Sequence, residues 1–112
     1  MYDFICKLAL AVILTGALHV ARASDVAPKF DIVKNCKAET ADASGTGESI
    51  ASCIEGEERA RHELTGRWTQ FDREDKTTCI HATSADGSPS YVELKICLEM
   101  ASDNRTRLKG TR

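Results

Sequence analysis

The longest periodic pattern of apolar side chains spans residues 50–71. Positions 50, 54, 57, 61, 64, 68 and 71 step by four and three, and Ile50, Ile54, Leu64, Trp68 and Phe71 fill five of those seven positions, with Cys53 and Ala60 beside them. That spacing predicts one face of an amphipathic helix. Glu57 and Arg61 interrupt the stripe, so its middle is expected to face solvent or to be covered by polar groups of a partner. Opposite charges recur at helical neighbours, Glu55 with Arg59, Glu57 with Arg61 and Glu63 with Arg67, each pair being worth about 0.2–0.5 kcal/mol. Gly56 is a candidate kink, because glycine costs about 1 kcal/mol relative to alanine in a helix.

Shorter signals flank this spine. Phe30, Val33 and Cys36 are spaced by three, which predicts one or two helical turns with Pro28 tolerated in the first; residues 24–29 read as a frayed lead-in. Residues 38–48 lack apolar bulk, and Ser44-Gly45-Thr46-Gly47 reads as a flexible loop. Asp72 is a candidate cap for a helix carrying Cys79 and Ile80, with Asp75 at the third position of a capping arrangement. Residues 84–88, with Asp86-Gly87, form a turn. Residues 91–100 fit two templates: they alternate apolar and polar like a half-buried strand, yet Ser90-x-x-Glu93 is a capping box and Lys95 with Glu99 has helical spacing. No second alternating run exists for a strand to pair with, which favours helix. Residues 104–112 carry four basic side chains and almost no apolar ones, and are expected to be a disordered tail.

The N-terminus changes how composition is read. Residues 8–18 are uncharged and apolar apart from Thr15 and Gly16, Lys7 precedes them, and Ala21-Arg22-Ala23 follows. This is the order of a secretory signal, cleaved here after Ala23; the apolar run is too short for a permanent anchor, which takes about 20 residues. Removing 23 of the 112 residues leaves 89, with 13 basic and 16 acidic side chains and 30 apolar residues. The balance excludes a broad basic surface for nucleic acid, and the length excludes large nucleotide-binding architectures.

Cleavage also removes Cys6 and leaves Cys36, Cys53, Cys79 and Cys97. An even number in a short exported chain predicts a disulfide framework, and four cysteines allow three pairings. Sequence alone does not select among them; the expectation taken here is Cys36–Cys53 with Cys79–Cys97, because a helix from Asp72 that turned back at residues 84–88 would put Cys79 and Cys97 at similar heights, and Cys36 would fall near the start of the spine, beside Cys53. Each bridge is worth about 3 kcal/mol in the chain-entropy model, enough to matter for so small a core. The expected fold is all-α: a small disulfide-stapled bundle of three or four short helices over residues 24–103.

Cys53 with its acidic followers, Trp68-x-x-Phe71, Cys79, and Ser90-Tyr91-Val92-Glu93-Leu94 leading into Cys97-Leu98-Glu99-Met100-Ala101 resemble small exported cysteine-containing proteins of rhizobial alphaproteobacteria. The likeness spans residues 53–101. That family looks helical and has Leu where this chain has Lys95. The resemblance implies a periplasmic, disulfide-bonded helical protein and supplies no catalytic residues.

Candidate chemistry is sparse. Cys79-Ile80-His81, with His62 and Cys97, holds metal-ligand types, but residues two apart on a helix point apart and the thiols are expected in bridges. Cys/His nucleophilic catalysis lacks a spare thiol, and neither Cys-x-x-Cys nor Cys-x-x-Cys-His occurs. Glu55, Glu57, Glu58 and Glu63 suggest a calcium or carboxylate-pair site, but the interleaved Arg59, Arg61 and Arg67 suit a solvated helix face. Trp68, Phe71 and Tyr91 read as core. Asn104-Arg105-Thr106 is a formal glycosylation sequon, and Arg105, Arg107, Lys109 and Arg112 are weak lipid contacts at best. The expectation is a non-enzymatic, monomeric envelope protein, periplasmic or secreted, with no cofactor, no metal and no stable membrane anchor, that binds another protein. The alternatives are a metal-binding protein using His62, His81 and a labile cysteine pair, and an envelope stress chaperone.

Overall fold

The structure, a computed structural model, describes residues 26–42 and 49–111. The expected signal segment, Cys6, Ser24, the Ser44–Gly47 loop and Arg112 lie outside the described residues. Among the described residues four helices follow in order: α1, Ile32–Asp42; α2, Ile50–Arg67, extended by a 3-10 turn at Trp68–Gln70; α3, Arg73–Ser84; and α4, Tyr91–Gly110. The fold is all-α, with no strand among the described residues. α4 packs on both α2 and α3, and α1 packs on α2.

Each helix begins where a side chain accepts from an otherwise unpaired N–H. Asp31 Oδ1 accepts from the backbone N–H of Lys34 (3.1 Å). Ser49 Oγ accepts from Ser52 (3.1 Å) and Asp72 Oδ1 from Glu74 (2.8 Å). Ser90 Oγ accepts from Glu93 (3.3 Å), the contact expected of a helix over residues 91–100. The Asp86-Gly87 turn closes between α3 and α4, with Gly87 at φ +82°, a conformation that favours glycine, and Ser88 N–H donating to Asp86 Oδ1 (2.9 Å).

The core joins Ile32, Cys36, Cys53, Ala60, Leu64, Trp68, Phe71, Cys79, Tyr91, Leu94 and Leu98. Two bridges staple it. Cys36–Cys53 ties α1 to α2 and Cys79–Cys97 ties α3 to α4, each with a Cα–Cα separation of 5.7 Å. The tie between α2 and α4 is noncovalent, through Leu64, Leu94 and Leu98, all fully buried.

Several expectations are corrected. α1 starts at Ile32 and buries Ile32, Asn35 and Cys36, while Val33 is exposed; a spacing of four from Ile32 to Cys36 faces the core, and Phe30 lies in the extended strap before the helix. That strap is not frayed from Ala27 onward. The Tyr91 hydroxyl donates to Pro28 O (2.8 Å) and accepts from Phe30 N–H (2.9 Å), and the Phe30 and Tyr91 rings lie 4.7 Å apart. α2 runs unbroken through Gly56, held on both sides by the packing of Cys53 and Glu57. Its inward row is Cys53, Glu57, Ala60 and Leu64, with Ile50 left exposed.

The tail is the largest correction. Residues 104–110 are helical, the last two turns of α4, so the domain extends past residue 103. Arg105 explains it: its guanidinium reaches Asp75 (Nε–Oδ2 2.6 Å, Nη2–Oδ1 2.9 Å) and Asp72 (3.1 Å) at the start of α3. Arg107 and Lys109 sit in the last turn, where the helix dipole favours cations. A helix already nucleated by its buried half extends at little further cost.

Candidate interaction surface

α4 is positioned by a buried carboxylate. Glu57, on the inward row of α2, is 5% exposed. Its Oε1 accepts from Ser90 Oγ (2.5 Å) and its Oε2 from the backbone N–H of Tyr91 (2.6 Å). Both oxygens therefore serve the N-terminus of α4, where negative charge is also favoured by the dipole. The polar interruption of the α2 stripe is thus covered within the same chain. Asn35 of α1 donates to Pro89 O, so α1, α2 and the start of α4 meet at one polar junction.

Ion pairs fix the flank of α4 that faces α2. Lys95 reaches Glu63 (2.5 Å) and Glu99 reaches Arg67 (3.3 Å). The hydrogen bond and charge of Lys95 hold the Glu63 carboxyl below its ordinary value, and Glu63 in turn raises Lys95. Arg105 similarly depresses Asp75 through hydrogen bonding, against the opposing effect of partial burial, and is itself raised. The flank facing α3 is fixed by the Cys79–Cys97 bridge.

With both flanks occupied, the remaining face of α4 points to solvent, and it is apolar. Val92, Ile96 and Met100, one turn apart, are 38%, 51% and 67% exposed. At about 100° per residue they lie opposite Leu94 and Leu98. Glu93, Asp103 and Arg107, all exposed, border this row. The strand-like alternation of residues 91–100 therefore arises from a helix with two apolar faces, one buried and one open. Reading the segment as a helix already separates the two sets, but the second set carries meaning only once the flanks are known to be filled.

The residues singled out for chemistry are dispersed. Cys36, Cys53, Cys79 and Cys97 are bridged. His62 lies exposed on α2 and His81 exposed on α3, and no group of three His, Cys, Asp or Glu side chains suited to a metal ion occurs among the described residues. The acidic cluster divides: Glu55 pairs with Arg59 (3.0 Å), Glu58 with Arg61 (2.5 Å), Glu63 with Lys95, and Glu57 turns inward. Of the three anticipated helical pairs, only Glu55–Arg59 forms; Lys95 captures Glu63, and α4's N-terminus captures Glu57. Trp68, Phe71 and Tyr91 are buried in the core.

Comparison with protein-family models, with curated proteins and with solved structures yields no match. The two cysteine pairs at bridging distance suit an oxidising compartment. No helix among the described residues is long and apolar enough to cross a membrane.

Proposed function

We propose that the protein is a small exported, non-enzymatic module, periplasmic or secreted, that binds or assists another protein, and that it is kin to the rhizobial exported proteins its second half resembles. The observation that supports this reading is the Val92–Ile96–Met100 row. Three consecutive outward turns of apolar side chains on a rigidly held helix form a ready face for a partner's apolar groove. Crosslinked helices, a polar junction at Glu57 and flanking ion pairs keep that face in one orientation, which reduces the ordering cost of association.

A photo-crosslinking residue in place of Ile96, introduced in cells with the bridges intact, tests it. The expected result is a discrete heteromeric adduct that is absent when the probe replaces the exposed Thr78 and is lost on adding Met100→Glu. Equal labelling at both positions would defeat the reading. An adduct of twice the protein's own mass would replace it with self-association.

A further inference from the structure

A second surface, separate from the α4 row, has the composition of a ligand site. α3 turns Lys76, Thr77, Ile80, His81 and Ser84 toward Trp68 and the strap at Val26 and Pro28, enclosing an open cleft of about 460 Å³. That volume lies within the usual range for small-molecule sites. Its lining combines apolar groups, the indole of Trp68, Ile80, Pro28 and Val26, with two hydroxyls, an imidazole and an ammonium.

Lys76 is the unusual member. It is 6% exposed, and lysine is rarely buried to that degree without a partner. Its ammonium lies 5.1 Å from the centre of the Trp68 ring, a cation–π contact. No carboxylate or other hydrogen-bond acceptor pairs with it among the described residues; the nearby carboxylates Asp72 and Asp75 are taken by Arg105. No buried side-chain nitrogen or oxygen among the described residues lacks a hydrogen-bond partner, so the stem of Lys76 is buried while its ammonium stays hydrated, and Lys76 lines the cleft. Glu74 and Asp75, the acidic neighbours of Lys76 on α3, do not line the cleft.

We infer that this cleft binds a small amphipathic monocarboxylate, its carboxylate on the Lys76 ammonium and the Thr77 hydroxyl and its hydrocarbon body against Trp68, Ile80 and Pro28. An anion gives the Lys76 ammonium a charged partner that no carboxylate among the described residues supplies, and the apolar part of the lining selects an anion with a greasy body over inorganic phosphate or chloride.

Trp68 is the sole tryptophan of the chain, so intrinsic fluorescence reports on the cleft directly. The disulfide-bonded protein is titrated with octanoate and, as a neutral counterpart, with octanol. The expected result is a saturable change in Trp68 emission with octanoate, and binding weaker by about tenfold or more for octanol, the cost of one charge-assisted contact. Thr77→Glu, at an exposed position, should weaken octanoate by a similar factor through repulsion and leave octanol unchanged. Lys76→Met should abolish the preference for the anion; should that variant fail to fold, Thr77→Glu alone decides. No saturable change, equal affinity for the two probes, or indifference to Thr77→Glu would overturn the inference.

Discussion

At the residue scale the molecule turns on Glu57. From the sequence it looks like a defect in an apolar stripe, and its partner is drawn at Arg61, four residues along the same helix. That local reading fails because the competing partners, Ser90 and the Tyr91 N–H, are more than thirty residues distant and become neighbours only in the folded chain. Removing one member of a buried charged contact leaves donors without acceptors. Glu57→Ala is expected to destabilise the protein by about 2–4 kcal/mol. Glu57→Gln, which keeps the shape but turns an amide toward a donor, should cost about 1–3 kcal/mol. Urea unfolding with the bridges intact checks both, and an effect below a few tenths of a kcal/mol would reduce Glu57 to a surface residue. The aromatic assignments were easier: Trp68 and Phe71 read as core from their places in the apolar stripe and Tyr91 from its residue type, although the tie of the Tyr91 hydroxyl to Pro28 and Phe30 has no local signal.

At the element scale α4 shows where local pattern stops being informative. Its buried row, Leu94 and Leu98, and its caps were legible. Its length was not, because residues 104–110 hold their helix through Arg105 and the carboxylates of Asp72, Glu74 and Asp75 at the start of α3. This gives the end of α4 a pH dependence. The Asp75 carboxyl lies below its ordinary value of 3.8 in the folded state, so the contribution of the Asp75–Arg105 pair is complete above that value and is lost as pH falls through the depressed folded one. Amide exchange in residues 104–110 should therefore accelerate in strong acid before the Leu94–Leu98 turns open. Asp75→Asn should give fast exchange there at neutral pH and remove the acid step. The Lys95–Glu63 pair has the opposite alkaline limit: Lys95 is raised above its ordinary 10.5, so its contribution is complete below that value and disappears as pH rises through the folded one. Its exposure keeps the effect small, confined to fraying of the α2–α4 flank.

At the scale of the whole molecule, the cysteines define two covalent pairs of helices, α1 with α2 and α3 with α4, and leave their union to packing. The bridges close loops of sequence separation 17 and 18, so in the chain-entropy model each is worth about 3 kcal/mol, a large share of a typical small domain's stability. Similar loop lengths predict similar equilibrium losses for the Cys36→Ala/Cys53→Ala and Cys79→Ala/Cys97→Ala pairs. The structural consequences differ. α1 packs on α2 alone among the helices, with the Asn35–Pro89 hydrogen bond as a further tie, so cutting its bridge should release α1 while α2, α3 and α4 hold together around Leu64 and Leu98. α3 keeps Arg105 at its start and Lys76 over Trp68, so cutting its bridge should loosen the cleft and one flank of the α4 row without freeing the helix. Hydrogen exchange on the two paired variants distinguishes these outcomes: protection lost in residues 32–42 alone for the first, and reduced evenly over residues 73–84 and 91–100 for the second. If both variants unfolded in one step with no regional difference, the two-pair description would give way to a single cooperative core, and the α4 face would be only as rigid as the weaker bridge makes the whole.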